Sequence, residues 1–333
     1  DVFGFEPPRE HGHAVVDAIQ AMIDGRAKVF IGLGGNFAAA VPDRPIVEEA
    51  MSRLRLTVGI TTKLNRGHLV HGRQSLMLPC LARSDVDVQL GGRQSVTVED
   101  SMSMVHASAG LVEPVDGQLK SEVSIICGIA RATMPVSGIN WTALEADYNL
   151  IRERIEAVFP TLFHDFNRRI RLPGGFHLTN GARERRWNTP SGRAQFIVYN
   201  APDVAPKPSD SQRLVLATIR SHDQYNTTVY SLNDRYRGVF GGRRVLFMNE
   251  ADMRARSIKE GGLVEIEAIA EDGIIRKLAD FVAHPYSIPS GSVAGYFPET
   301  NPLLALAHHD PMSKTPAAKS IPVLVRAQAQ AQG

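Results

Sequence analysis

Five short apolar runs that follow one another after Arg213, separated by glycine and proline turns, limit this chain more than any other feature. They are Leu214 to Thr218, Arg244 to Met248, Val264 to Ala268, Ile274 to Ala283 and Ile321 to Arg326. Turns are marked at Gly261-Gly262, Asp272-Gly273 and Pro289-Ser290-Gly291. Runs this short, rich in β-branched residues, predict strands, and strands at this spacing predict a closed or nearly closed β-barrel over residues 213–326.

The first half has a different rhythm. Apolar residues at Val15, Val16, Ile19, Met22 and Ile23 fall on one face of a helix that Gly25 stops. Lys28 to Gly32 reads as a strand running into Leu33-Gly34-Gly35-Asn36. Pro45 to Leu54 fits a helix that Asp43 can cap, and Leu56 to Thr61 fits a second strand. Short strands are expected at Leu76 to Leu78, Val86 to Leu90 and Ser95 to Val98. Helices are expected at Ser121 to Thr133 and Trp141 to Val158, the latter with Asn140 or Thr142 near its start. The expected organisation is therefore an α/β domain over 1–165 followed by an irregular connection over 166–212. That connection contains a candidate strand, Ala194 to Tyr199, and a Pro-rich linker from Ala201. A mostly β-barrel domain over 213–326 and a disordered tail over 327–333 complete it.

At 333 residues with 43% hydrophobic and 22% charged residues, the composition is that of a globular protein large enough for two domains. A formal net charge of +2 creates no global field for nucleic acid. Two cysteines, Cys80 and Cys127, are too few for a disulfide framework, and both read as small buried hydrophobes. No run approaches the ~18 apolar residues of a membrane span, so neither membrane insertion nor nucleic-acid binding is expected, and a cytoplasmic location is. The chain opens on a Pro-Pro turn without a methionine, which suggests processing, a trimmed chain or a piece of something longer.

Several chemistries lose on spacing. His11 and His13, His68 and His71, and His308-His309 lack the frame of a zinc site. No G-x-S-x-G elbow places a nucleophile. Glu99 and Asp100 are adjacent, so on a strand they face opposite sides and read as turn formers or acceptors. Arg183-Glu184-Arg185-Arg186 and the set Arg235, Arg237, Arg243 and Arg244 offer guanidinium forks for phosphate, with solvated surface as the alternative. The stretch Thr218 to Tyr230, TIRSHDQYNTTVY, crowds a cation, a histidine, two amides and several hydroxyls behind an apolar strand. That density of polar groups at a strand end suits a polar, anionic ligand, and Gly34-Gly35-Asn36 offers a second place where backbone can approach one closely.

The order of blocks in the second half carries a resemblance. A strand, then Met248-Asn249-Glu250-Ala251-Asp252, a Gly-Gly turn, Asn301-Pro302-Leu303, Asp310-Pro311, and Pro316-Ala317-Ala318-Lys319 before the last strand resembles the C-terminal dinucleotide-binding barrel of molybdopterin oxidoreductases. These form the dimethyl sulfoxide reductase superfamily. Gly34-Gly35-Asn36 is similar to that superfamily's G-x-N motif, and Leu78-Pro79 to its Leu-Pro block. The phrases TKLNRGHLVHGRQSLMLPCLARSDVD, VTVEDSMSMVHASAG and TIRSHDQYNTTVY are similar to the formate dehydrogenase-like oxidoreductase alpha subunits, over residues 7–326 in all.

The resemblance implies a bis(molybdopterin guanine dinucleotide) cofactor carrying molybdenum or tungsten. It implies that Asn36, Thr62 and Asn65 face one dinucleotide and that Arg220, His222, Gln224, Asn226 and Asn301 approach pterin. Asn249 and Asp252 would lie near a guanine or brace that loop, while Gly34, Gly35, Lys63, Arg220 and Lys319 would serve the pyrophosphates. No residue of this chain is expected to ligate the metal or act as a catalytic group. The iron–sulfur cluster and the metal's protein ligand belong to upstream domains of the same protein in the relatives, so this piece alone is expected to be inactive. An electron-transfer subunit is a possible further partner. Two other functions suit the same residues, a stand-alone nucleotide-binding module and a non-catalytic partner of a separate catalytic chain.

Overall fold

A computed structural model describes residues 1–198, 212–226 and 229–328. The expected linker from Ala201 and the end of the tail therefore lie outside the described residues. Contact density divides the chain into two compact units. One comprises Asp1–Glu10, Ile60–Lys63 and Met77–Asn200; the other comprises His11–Gly59, Leu64–Leu76 and Ala201–Gly333. The expected 1–165 domain is thus shared between the units, and its opening α/β segment packs with the barrel.

Helix α1 (Val15–Ile23), strand β1 (Val29–Leu33), helices α2 (Phe37–Ala40) and α3 (Arg44–Ser52), and strands β2 (Leu56–Thr61) and β3 (Gln74–Pro79) begin the chain. The three strands form a sheet in the order β1-β2-β3. Ile19 and Met22 of α1, Val47, Ala50 and Met51 of α3, and Leu54 just beyond α3 form one core. Asp43 does not cap α3 as expected. It sits in a left-handed conformation without a side-chain cap bond, because its carboxylate is committed to Arg276 and to the Leu306 amide.

The other unit contains β4 (Val88–Gln89) and β5 (Gly92–Arg93) as a hairpin, with β6 (Val96–Glu99), β7 (Met104–Ser108) and β8 (Phe176–His177) as a sheet in that order. Helix α4 (Glu122–Thr133) is capped by Ser121, which accepts from the Ser124 amide at 3.1 Å. The single helix expected over 141–158 is two, α5 (Trp141–Ala146) and α6 (Tyr148–Val158). Asp147 breaks it by turning extended and accepting from the Asn149 amide, which makes it the cap of the second helix. A further short helix, α7 (Phe166–Arg169), contributes Phe166 to a core with Val105, Ile170 and Phe176. The stretch 194–198 forms no strand, contrary to expectation.

Six strands then close into a barrel: β9 (Leu214–Ile219), β10 (Val245–Met248), β11 (Leu263–Ala268), β12 (Arg276–Pro285), β13 (Ser292–Tyr296) and β14 (Ile321–Ala327), in the order β10-β12-β11-β14-β9-β13. Five answer to the runs read from sequence. The sixth, β13, is Ser-Val-Ala-Gly-Tyr, too small and too little β-branched to stand out. Alternate residues Leu214, Leu216, Val264, Ile266, Val323 and Val325 point inward to a shared core. Closure leaves no exposed strand edge and fixes which loops leave which rim.

Candidate functional site

Strand register sorts the candidate residues. Strands β13 and β9 run parallel with Tyr296 opposite Ile219. Strand β14 runs antiparallel to β9 with Ile321 opposite Leu216, which brings the preceding Lys319 toward Thr218. One rim therefore gathers the loop from Arg220, the loop from Phe297 and Lys319. Strand β10 is antiparallel to β13, with Met248 opposite Val293, so Asn249 and Asp252 emerge at the other rim. There they brace a turn. Asn249 accepts from the Ala251 amide and donates to the Ile288 carbonyl at 2.7 Å. Asp252 accepts from the Ser290 hydroxyl and the Gly291 amide, both at 2.7 Å.

On the first rim the TIRSHDQY loop is held from beneath by Arg243, a residue only 5% exposed. Its guanidinium donates to Glu299 Oε1 (2.9 Å), Ser221 Oγ (2.8 Å), Gln224 Oε1 (2.9 Å) and the Phe297 carbonyl (3.0 Å). It also stacks 3.8 Å from the Tyr230 ring centre and 4.6 Å from that of Tyr296. Gln224 spends the other end of its amide on the Phe297 carbonyl at 2.9 Å, so it shapes the loop. Arg243 is therefore neither of the roles read for it from sequence, phosphate fork or solvated surface.

Asp234 is a second buried hub that sequence reading missed. Its carboxylate accepts from His222 Nδ1 (3.0 Å), Arg237 Nη1 (2.6 Å) and the Tyr296 hydroxyl (2.9 Å). Burial pushes its pKa upward, but the bonds from Arg237, Tyr296 and His222 outweigh it and hold the group below the usual carboxylate range. Tyr296 is pushed up by burial and by Asp234. Arg220 projects from the exposed end of β9, and Asn226 follows in a left-handed conformation. Lys319 donates to the Thr218 carbonyl, and its pKa is lowered by burial first and by the charge of Arg220 second. Two cations that feel each other at a strand end make a place for an anion.

The glycine loop sits in the same compact unit as the barrel. Gly34 and Gly35 both have positive φ, with open space where a Cβ would project. Asn65 donates to the Gly35 carbonyl at 2.9 Å and accepts from the Gly67 amide at 2.9 Å, pinning the loop to the turn Arg66–Leu69. A Cβ on Gly67 would meet the side-chain oxygens of Asn65 at 3.0 Å and Asn36 at 3.1 Å. Asn36 caps nothing with its side chain, and among the described residues its buried Oδ1 has no hydrogen-bond partner. An unpaired buried acceptor is costly, and such groups cluster where ligands supply the missing donor. Asn301 links this segment to the barrel by donating to the carbonyls of Ala39 (3.2 Å) and Val41 (2.5 Å). Replacing Asn301 with Ala is expected to cost about 1–3 kcal/mol in urea unfolding, because both carbonyls lose a buried donor.

Thr62 belongs to the other unit, where it lines a cleft of about 480 Å³ together with Arg83, Asp87, Gln94, Ser121 and Tyr148. Inside it the Tyr148 hydroxyl donates to Asp87 at 2.5 Å and lies 2.6 Å from Ser121 Oγ. Lys63 of that unit is exposed, and its backbone bonds the Thr61 hydroxyl. Asp100 accepts from the amides of Met102 and Met104, the turn-forming role read from sequence. Among the described residues no group of three or more His, Cys, Asp or Glu is placed to hold a metal ion, and no helix is long and apolar enough to cross a membrane.

Residues 214–322 match the family model for the molydopterin dinucleotide binding domain. The chain is 48% identical over 96% of its length to Protein YdeP of Escherichia coli, and 48% identical over 96% of its length to an uncharacterized oxidoreductase of Mycobacterium tuberculosis. It spans 42% and 41% of those relatives' lengths. A nitrate reductase of Shewanella frigidimarina is 21% identical over 78% of this chain and 29% of its own length. Acetylene hydratase from Pelobacter acetylenicus has a similar fold, with a TM-score of 0.57 at 15% identity over 94% of this chain and 46% of its own. Residues 214–322 are thus similar to a molydopterin dinucleotide binding domain, and the chain is similar along nearly its whole length to a protein named an oxidoreductase.

Proposed function

We propose that this chain is the cofactor-clasping C-terminal part of a molybdenum- or tungsten-dependent oxidoreductase of formate dehydrogenase-like type, holding a bis(molybdopterin guanine dinucleotide). The carrying observation is Asn36. Its buried, partnerless oxygen stands at the end of an open glycine loop tied to the barrel by Asn301, and the N–H-rich edge of a guanine or pterin is the chemistry that completes it. Gly34 and Gly35 leave backbone open to the ligand, and Arg220 and Lys319 supply charge for a pyrophosphate. When bound, the cofactor supplies the two-electron chemistry through its metal. This chain's residues bind and orient it, and the groups that act on substrate are assigned to the remaining length of the protein, where an iron–sulfur cluster also belongs. An electron-transfer subunit and a cytoplasmic location complete this reading.

Arg220→Ala in the intact protein tests it. Expected is a loss of at least half of the bound metal and of the guanine nucleotide released by acid, with the urea midpoint unchanged, because Arg220 is exposed and, among the described residues, its guanidinium makes no hydrogen bond. Wild-type content of both metal and nucleotide would refute the assignment.

A further inference from the structure

Strand β1 has two unlike faces. Phe30 points to the helix layer, where it packs against the core of Ile19, Met22 and Leu54, and its ring centre lies 5.0 Å from that of Phe37. Val29, Ile31 and Leu33 alternate with it on the other face, and each stays half exposed, at 52%, 48% and 52%. Apolar residues at every second position of a strand mark a face made for burial. Among the described residues nothing buries this one.

Strands β1 and β2 begin side by side, with the Arg55 amide donating to the Lys28 carbonyl at 2.9 Å. Further along, a Cβ on Gly32 would lie 3.8 Å from the Val58 carbonyl oxygen. The two strands therefore run the same way, joined by a crossover through α2 and α3. Parallel strands are found with helices on both faces, and one crossover supplies helices to one face only. β1 is also the outer strand of its sheet. Its sequence, VFIGL, has no charge or proline to discourage contact.

We infer that a helix layer from the remaining length of the same polypeptide docks on Val29, Ile31 and Leu33 and covers the second side of this sheet. The inference rests on the reading of the chain as the C-terminal part of a longer protein, which its match to only 42% and 41% of two relatives' lengths supports. The surface that fits is an amphipathic helix with its apolar stripe turned to the strand. A second copy fits worse, because an identical face would stack sheet on sheet, a packing that belongs to β-sandwiches and not to parallel sheets between helices.

Thiol labelling of the intact protein tests this. Ile31→Cys is compared with Arg254→Cys, on helix α8 with 72% of the side chain exposed, using a water-soluble maleimide and peptide mass spectrometry. Labelling at Ile31→Cys is expected to be at least about tenfold slower than at Arg254→Cys in the folded protein and equally fast in urea, since a covered thiol reacts only on opening. Photo-leucine incorporated in place of leucine, with the sequence otherwise native, identifies the occupant. In a mixture of ¹⁴N and ¹⁵N protein, the Leu33 peptide should cross-link to residues outside these 333 within one isotope label. Equal folded-state labelling at the two thiols overturns the inference. So do Leu33 cross-links that join the two labels, which would make the occupant a second copy, or that stay within the 333 residues. Each of these leaves the C-terminal-part reading standing, whereas a natural polypeptide of no more than these 333 residues overturns both.

Discussion

Replacing Arg276 with methionine is expected to lower the unfolding free energy of the barrel-containing unit by about 3–5 kcal/mol, the cost of leaving buried charge without its partner. Arg276 is 3% exposed on its side chain and faces Asp43, itself 2% exposed, through two bonds of 2.9 and 2.6 Å. It also donates to Asp272 at 3.0 and 2.7 Å. Removing the guanidinium strands two carboxylates at once. Asp43→Asn should cost less, because Arg276 keeps Asp272 and the side-chain oxygen still accepts. Arg276→Met combined with Asp43→Leu should recover part of the loss, since an apolar pair is tolerated where half an ion pair is not. Urea midpoints at unchanged slope provide the measure. A methionine variant within about 1 kcal/mol of wild type would mean that water reaches this pair.

The same cluster predicts a pH dependence whose sign follows from Asp272. Bonds from Arg276 are the largest influence and hold its carboxyl below the ordinary aspartate value. Its contribution is therefore fully present above the unfolded pKa of about 3.9 and is lost as pH falls through the lower folded value. Acid unfolding of the methionine variant should lack that component.

Sequence displayed the barrel because most of its strands alternate β-branched residues, as in Leu263–Ala268 and Ile321–Ala327. It hid β13 for a physical reason. Gly295 must be bare there, since a Cβ would come within 2.4 Å of Thr300 Cγ2, so a strand chosen for close approach carries little strand signal. The break at Asp147 was hidden because the apolar spacing carries on across it, while the side chain that ends one helix also caps the next. In the candidate site, the crowding of Arg220, His222, Gln224 and Asn226 into one loop after β9 was legible. The hubs that hold it were not. Asp234 reaches Tyr296 across 62 positions and Arg243 reaches Glu299 across 56, and one sequence contains no record of such distances. Asp43, legible as a cap, was taken by an arginine 233 positions away, which is tertiary structure overriding a local rule.

Arg243→Ala is the second large effect, expected at about 3–5 kcal/mol with an accompanying release of the Ser221–Tyr230 loop. The guanidinium satisfies three oxygens from that loop and the Phe297 turn and neutralises Glu299, whose Oε2 is already buried without a partner. Its loss would leave Glu299 as an unpaired carboxylate beside Tyr230, whose phenol burial and the Glu299 charge already push up. Arg243→Lys keeps the charge but not the planar fork or the ring stacking, so an intermediate loss is expected. Glu299→Gln should be milder than either, about 1 kcal/mol, because a neutral oxygen still accepts from Nε. Urea unfolding orders the three, and amide hydrogen exchange across the described part of 221–230 reports the loop. Faster exchange in the lysine variant, beyond what its loss of global stability explains, would identify Arg243 as the residue that positions this loop. Slower or unchanged exchange in all three would show that the loop is held by its own turns, and Arg243 would then be a core residue without influence on the site.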